Sequence, residues 1–366
     1  MTDRNLLMIP GPIEFEPEVL RAMSIKTASH VAPNFIETFG NCLDMIQKIW
    51  QAPTGQAFIV AGSGTLAMDM AAANITEQGD KVLVLSTGYF GKRYKDIFDR
   101  YGAKTTIIET PIGETIDLNT IENELKKGIY KIISITHVDT STGVLTDAKN
   151  IAAIANKYNV LSVLDGVCSV AAEEIAQEEW GIDVVLTASQ KAIGVPPGLA
   201  LLVASEKAIN VWKNRTTPVQ NYYADFANWL PIMKAYQERR PSYFGTPAVN
   251  LINALEVSLK QILAEGLQNR FIRHKNLATL FRTELKKLGF KYVPTKDKHT
   301  ANTLSAVYYP THVNGNDFRK KLAENNIIVA GGLLPEIKEQ YFRVGHMGAV
   351  TENDIVAVIN AIKKSV

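Results

Sequence analysis

Three short strings in this chain carry groups that could do chemistry: Gly62-Ser63-Gly64-Thr65-Leu66-Ala67, Val163-Leu164-Asp165-Gly166 and Thr187-Ala188-Ser189-Gln190-Lys191. The first is a G-x-G-x-x-A pattern that follows an apolar run, Ala57-Phe58-Ile59-Val60-Ala61, and opens a helix-like stretch. Such a turn bares backbone N–H groups at a helix start, where the dipole favours an anion. A dinucleotide site would also want an acidic residue about 20 positions on, at the end of the next strand, to hold the ribose hydroxyls. That strand, Val82-Leu83-Val84-Leu85, ends in Ser86-Thr87-Gly88. An isolated phosphate therefore suits the loop better than a dinucleotide, with Ser63 and Thr65 adding hydroxyls. A plain strand-to-helix turn is the bland alternative.

Asp165 and Lys191 each close a β-rich run. In an open α/β sheet, ligands sit outside the carboxyl ends of the strands, so both groups can face the same crevice as the glycine loop. Taken singly, each has an ordinary reading, a capping aspartate and a solvated lysine. Taken together, a phosphate loop, an aspartate and a lysine are what pyridoxal phosphate requires. The lysine forms the Schiff base, the aspartate stabilises the protonated pyridine nitrogen as an electron sink, and helix amides hold the phosphate.

The elements that must position these groups are legible from about residue 57 onward. Strands are expected at 57–61, 81–86, 104–109, 131–136, 161–165, 184–188 and 199–204, with helices at 66–76, 92–101 and 147–158 between them. Strands this apolar on both faces, separated by helix-length segments, imply an α/β fold with a largely parallel sheet covered by helices. From 205 to 290 the pattern turns mainly helical, and 250–264 and 273–287 are long enough to form a connecting spine. A smaller α+β region follows, with strands at 304–308, 327–329 and 341–344 and helices at 317–324 and 353–363. The expected organisation is an N-terminal arm over 1–16, a large domain over 17–265 and a small C-terminal domain over 266–366.

Composition narrows the partners. The 366 residues are 46% hydrophobic and 21% charged, with a net charge of +2 and no basic block, so neither a nucleic-acid nor a membrane footprint is expected. Small molecules are the expected partners. The longest apolar runs, such as Leu199 to Ala204, fall well short of the roughly 18 residues of a membrane span. Leu6-Leu7-Met8-Ile9 is cut off by Pro10 and Pro12 before a signal-peptide core could form, and the last residues, Lys363-Lys364-Ser365-Val366, are no peroxisomal address. Two cysteines without CxxC spacing fit a reducing compartment, and the cytoplasm is the expected location. The six histidines show no HExxH or HxH spacing, so no metal site is expected.

With these residues in view, the chain resembles the class V pyridoxal-phosphate aminotransferases of the alanine-glyoxylate and serine-pyruvate group. The likeness rests on Ser189-Gln190-Lys191-Ala192 followed by Pro196-Pro197-Gly198, and on His137-Val138-Asp139-Thr140-Ser141-Thr142-Gly143-Val144 upstream. It runs from Pro10-Gly11-Pro12 to Arg343-Val344-Gly345. The resemblance implies a fold type I transferase in which Lys191 carries the Schiff base and Asp165 pairs with the ring nitrogen. Ser63, Gly64, Thr65 and Gln190 would bind the phosphate, Thr140 would lie near the phenolic oxygen, and Val167 and Phe90 would cover the two ring faces. Animal members of the group carry Trp where Phe90 stands and His where Thr65 stands. Phe is a smaller stacking surface, while Thr65 still offers an amide and a hydroxyl.

The same resemblance places Tyr243 and Thr246 at the phosphate of a neighbouring subunit, which implies a homodimer with shared sites. Read alone, their Gly-Thr-Pro segment is an ordinary turn before a helix. Arg343 lies among apolar neighbours and presents a planar fork suited to a substrate carboxylate, which is the role the resemblance assigns it. An intramolecular salt bridge is its competing reading. The implied activity moves an amino group from alanine or serine to a small 2-oxo acid, glyoxylate or pyruvate, by a ping-pong mechanism. A same-fold phosphonate or pyridoxamine transaminase, or a lyase, would differ in only a few pocket residues. A cysteine desulfurase would need a thiol in the C-terminal part, and no cysteine follows Cys168. A non-catalytic protein of this fold is disfavoured by the intact Lys191 and Asp165.

Overall fold

A computed structural model describes residues 5–366. Its centre is a seven-stranded sheet in the order 56–61, 199–204, 184–188, 161–165, 132–136, 81–86, 104–109. The last five strands run parallel to one another, and Leu199–Ala204 is antiparallel to both of its neighbours. All seven strands lie where the hydrophobic runs predict them. The inner strands are buried along their whole length, which is why they read as continuous apolar runs without alternation.

Helices cover both faces. The helix Gly64–Ile75 is almost wholly buried, through Ala67, Met68, Met70 and Ala71 to Ala73 and Ile75. Pro33–Ile49 precedes the first central strand, a region to which the sequence analysis assigns no element. It buries Phe35, Ile36, Phe39, Leu43, Ile46 and Ile49, a spacing of three and four residues that sets one apolar face against the core. Val249–Glu265 and Leu267–Lys287 form the long helical pair, and the second begins six residues earlier than expected. Gly266, at φ +79, makes the break between them.

Beyond this pair, Leu304–Tyr308, Tyr341–Gly345 and Ala330–Gly331 form an antiparallel sheet, packed by Gly315–Glu324 and Glu352–Ser365. One expectation is corrected here. The strand expected at 327–329 ends at Ile328 and does not join that sheet. It pairs in parallel with Leu6–Leu7, so residues near the N-terminus pack into the C-terminal apolar cluster beside Phe281, Phe318 and Phe342. Gly331 belongs to the two-residue strand at the sheet edge.

Arg270 ties the long helices to the segments that carry the candidate site. Its Nε donates to the Ala171 carbonyl at 2.8 Å, Nη2 to the Ala192 carbonyl at 2.8 Å, and Nη1 to Glu265 at 2.7 Å. Ala192 follows Lys191 directly, so this buried guanidinium fixes the backbone beside the lysine. Removing it leaves the Ala171 and Ala192 carbonyls without their side-chain donor, while Glu265 keeps Arg273. Arg270→Ala is expected to lower the unfolding free energy by about 3 kcal/mol, the lower end of the range for breaking a buried pair. A urea midpoint within error of wild type would refute this.

Candidate cofactor and substrate site

The geometry follows from the parallel sheet. Strands 56–61, 81–86, 132–136, 161–165 and 184–188 point the same way, so the segments that leave their carboxyl ends gather along one edge. Those segments are Gly62–Thr65, Thr87–Phe90, His137–Gly143, Gly166–Val167 and Ser189–Lys191. Every large-domain residue singled out for the cofactor, except Tyr243 and Thr246, sits at this edge.

The helix Gly64–Ile75 starts without a capping side chain. Its first amides are therefore free to hold an anion. A Cβ on Gly64 would stand 3.0 Å from Val167 Cγ2 and 3.2 Å from the Ala188 methyl, so a bare backbone is what lets the helix start approach the 166–167 turn so closely. Ser63 and Thr65 are exposed beside it, and the buried Gln190 Oε1 has no hydrogen-bond partner. Free amides and two hydroxyls supply donors that fit a phosphate ester; the Gln190 oxygen is an acceptor, so only its Nε2 could add to them.

Asp165 ends its strand with the side chain buried, and Oδ1 accepts from the Val167 amide at 3.0 Å. Burial pushes its carboxyl up to about 6; nearby Asp139 adds to the rise, while the Val167 N–H, Lys191 and Arg93 oppose it. A buried carboxylate with a raised proton affinity and one hydrogen-bond donor is suited to a cationic ring nitrogen. Lys191 lies close enough to act on Asp165 electrostatically, and its Nζ donates to the Pro10 carbonyl. Gly11, at φ +123, passes so near that a Cβ there would come within 2.6 Å of Lys191 Nζ. The lysine is thus enclosed between the sheet edge and the N-terminal segment.

Thr140 is buried with its hydroxyl 2.7 Å from Cys168 Sγ, which places that cysteine in packing and hydrogen bonding. Phe90 lies in the first turn of Tyr89–Arg100, with the Arg93 guanidinium 4.8 Å from its ring centroid. Arg343 donates from Nε to the Gly331 carbonyl at 2.9 Å and from Nη1 to the Thr140 carbonyl at 3.2 Å. Among the described residues no carboxylate forms an ion pair with it, so the competing salt bridge does not form. Its positive charge is disfavoured by burial, which leaves an incoming carboxylate as the natural counter-ion.

Tyr243 and Thr246 stand apart. Both are exposed, Tyr243 stacks obliquely on His30 at 5.3 Å, and no hydrogen bond among the described residues joins either to the glycine loop of the same chain. The sequence analysis missed four groups: Asp139, Arg93, Tyr341 and the Pro10 carbonyl. Asp139 had a signal, being a charge within an otherwise uncharged string. A main-chain carbonyl leaves none.

An α/β sheet that assembles a phosphate cradle, a buried aspartate and an enclosed lysine at one edge defines a pyridoxal-phosphate enzyme. The family model "Aminotransferase class-V" matches residues 18–349. Alanine-glyoxylate aminotransferase 1 of Saccharomyces cerevisiae is 36% identical over 95% of this chain and 93% of its own length. Serine-glyoxylate aminotransferase of Arabidopsis thaliana is 28% identical over 98% and 90%. The crystal structure of an alanine-glyoxylate aminotransferase from Nostoc sp. superposes with a TM-score of 0.93 at 31% identity, covering 99% of this chain and 95% of that one. The chain belongs to the class V aminotransferases. It is a transaminase, and its cofactor is pyridoxal phosphate.

The Asp165 environment carries a pH consequence. If its ionised form is the one that pairs with a cationic ring nitrogen, the affinity of the cofactor-free protein for pyridoxal phosphate is expected to be level above pH 7 and to fall by up to roughly tenfold per unit below about 6. For folding alone the sign is reversed: a carboxyl with a raised folded-state pKa makes the fold more stable as pH drops from about 6 toward its ordinary 3.8. Cofactor titration by fluorescence between pH 5 and 8 checks this, and Asp165→Asn should flatten the profile. A wild-type profile that is already flat would refute it.

Proposed function

We propose that the enzyme transfers the amino group of alanine or serine to a small 2-oxo acid, glyoxylate or pyruvate, in two half-reactions with ping-pong kinetics. The observation that carries this reading is the half-buried Arg343 guanidinium, which spends two donors on main-chain carbonyls and has no carboxylate partner among the described residues, on the small-domain strand facing the Thr140 turn. Relatives named for alanine, serine and glyoxylate support the substrate class.

In this reading residues 17–265 and 266–366 act as large and small units, with 1–16 as an arm. Pyridoxal phosphate supplies an electron sink conjugated to the amino group being moved. Ser63, Gly64, Thr65 and Gln190 hold its phosphate; Asp165 keeps a proton on the ring nitrogen; Thr140 donates toward the phenolic oxygen; Val167 and Phe90 close the two faces. Lys191 would hold the cofactor through Nζ, and the same amine would move the proton at the substrate Cα. Its enclosure by Gly11 and Pro10 limits where the free amine can swing. Arg343 holds the substrate carboxylate and so decides which Cα bond is presented to the ring. Tyr243 and Thr246 complete the phosphate site of a second subunit in a homodimer. The enzyme works in the cytoplasm; among the described residues no helix is long and apolar enough to cross a membrane.

Lys191→Ala is expected to lose the visible absorbance that borohydride abolishes in the wild type, and to lose turnover by at least about 100-fold while remaining folded. Transamination at the wild-type rate would sink the assignment. Arg343→Lys replaces a fork with a point charge, so KM for alanine and for glyoxylate should rise roughly 10- to 100-fold, with a smaller fall in kcat. An unchanged KM for both would return the arginine to a structural role. A panel of donors and acceptors decides among alanine, serine, phosphonate and pyridoxamine substrates.

A further inference from the structure

Asp139 is fully buried, and its carboxylate accepts four hydrogen bonds. Oδ1 accepts from the Ser141 amide at 2.9 Å and the Ser141 hydroxyl at 2.6 Å, while Oδ2 accepts from the Phe90 amide at 3.0 Å and the Gly91 amide at 3.4 Å. Ser141 Oγ in turn accepts from the Tyr89 amide at 3.0 Å. The helix Tyr89–Arg100 has no capping side chain of its own, because Gly88 stands at the N-cap. Its first three amides are thus capped from a segment some fifty residues away. Gly88 is needed for the approach, since a Cβ there would collide with the Asp139 carboxylate and Ser141 Oγ.

The same turn meets the small domain. The Thr140 carbonyl accepts from Arg343 Nη1, and the Ser141 carbonyl accepts from the Tyr341 hydroxyl at 2.6 Å. That hydroxyl also accepts from the amides of Leu333 and Leu334 at 2.8 and 2.9 Å. One turn therefore touches the helix start that bears Phe90 on one side and the strand that bears Arg343 on the other.

We propose that Asp139 is a positioning residue for amino-group transfer, fixing Phe90 relative to Arg343 and hence the stacked face of the cofactor relative to the fork that takes the substrate carboxylate. This rests on the roles given above to Phe90 and Arg343. A carboxylate suits the task for two reasons. It can accept from all four donors at once, and a helix N-terminus favours negative charge. An asparagine cannot do the same: its NH2 group would meet an N–H on one side or the other.

The test is a double-mutant cycle on the holoenzyme with alanine and glyoxylate. Asp139→Asn is expected to weaken cofactor affinity and kcat/KM by about 10- to 100-fold and to alter the visible circular dichroism of the bound cofactor. If Asp139 acts through the Phe90 ring, the same substitution made on top of Phe90→Ala should cost less than about threefold further. Ser141→Ala, which leaves the Asp139 bonds to Phe90 and Gly91 in place, should give a smaller loss that also shrinks in the Phe90→Ala background; it carries the cycle if Asp139→Asn does not fold. Equal losses in both backgrounds, or unchanged dichroism and kinetics in the single variants, would overturn the proposal. Phe90→Ala binding the cofactor as tightly as wild type would instead overturn the role given to Phe90.

Discussion

Parallel strands share one edge where they end, and the glycine loop, Asp165 and Lys191 are all brought together by that edge. Five of the strands deliver one turn each there: the glycine loop, the start of the Phe90 helix, the Asp139–Gly143 turn, Gly166–Val167 and the Lys191 segment. Strand spacing of about 4.8 Å sets the distance between neighbouring turns before any side chain is chosen. The antiparallel Leu199–Ala204 strand, between the first and sixth strands in chain order, lets the Gly62 amide bond the Gly198 carbonyl at 2.8 Å and closes the glycine loop onto the lysine segment.

The edge holds two buried carboxylates, and the fold treats them differently. Asp139 is surrounded by four donors and serves to hold backbone, whereas Asp165 has a single amide at 3.0 Å and keeps an unsatisfied appetite for positive charge. Burial raises the proton affinity of both, and the nearby Asp139 raises that of Asp165 further. A cationic ring nitrogen beside Asp165, as proposed, would relieve what the fold alone leaves uncompensated. The empty-handed guanidinium of Arg343 is the matching case on the substrate side, a desolvated charge whose protein partners are neutral carbonyls.

The N-terminal segment joins these two halves. Leu6–Leu7 pairs with Ile327–Ile328, the Gly345 amide donates to the Met8 carbonyl at 3.0 Å, and the Ile13 amide donates to the Gln190 carbonyl at 3.3 Å. Between those contacts, Pro10 and Gly11 pass over the lysine. Main-chain hydrogen bonds therefore link the strand that carries Arg343 to the segment that passes over Lys191.

The seven central strands, the glycine loop and the strand-end positions of Asp165 and Lys191 were legible in the chain by itself, because each rests on a local signal: a continuous apolar run, a turn that only small residues allow, or a charge closing a strand; Arg343 stood out as a charge among apolar neighbours. Its amphipathic Pro33–Ile49 helix was equally local and was passed over, since it lies before the alternation of strands and helices begins. Only tertiary structure decided which charges are compensated. Asp139 and Asp165 look alike in sequence, and their different roles come from donors contributed by other segments. The docking of Leu6–Leu7 on Ile327–Ile328 was likewise beyond sequence, because a two-residue strand has too little pattern to name its partner and its register is set by the packing of Met8 beneath the small sheet.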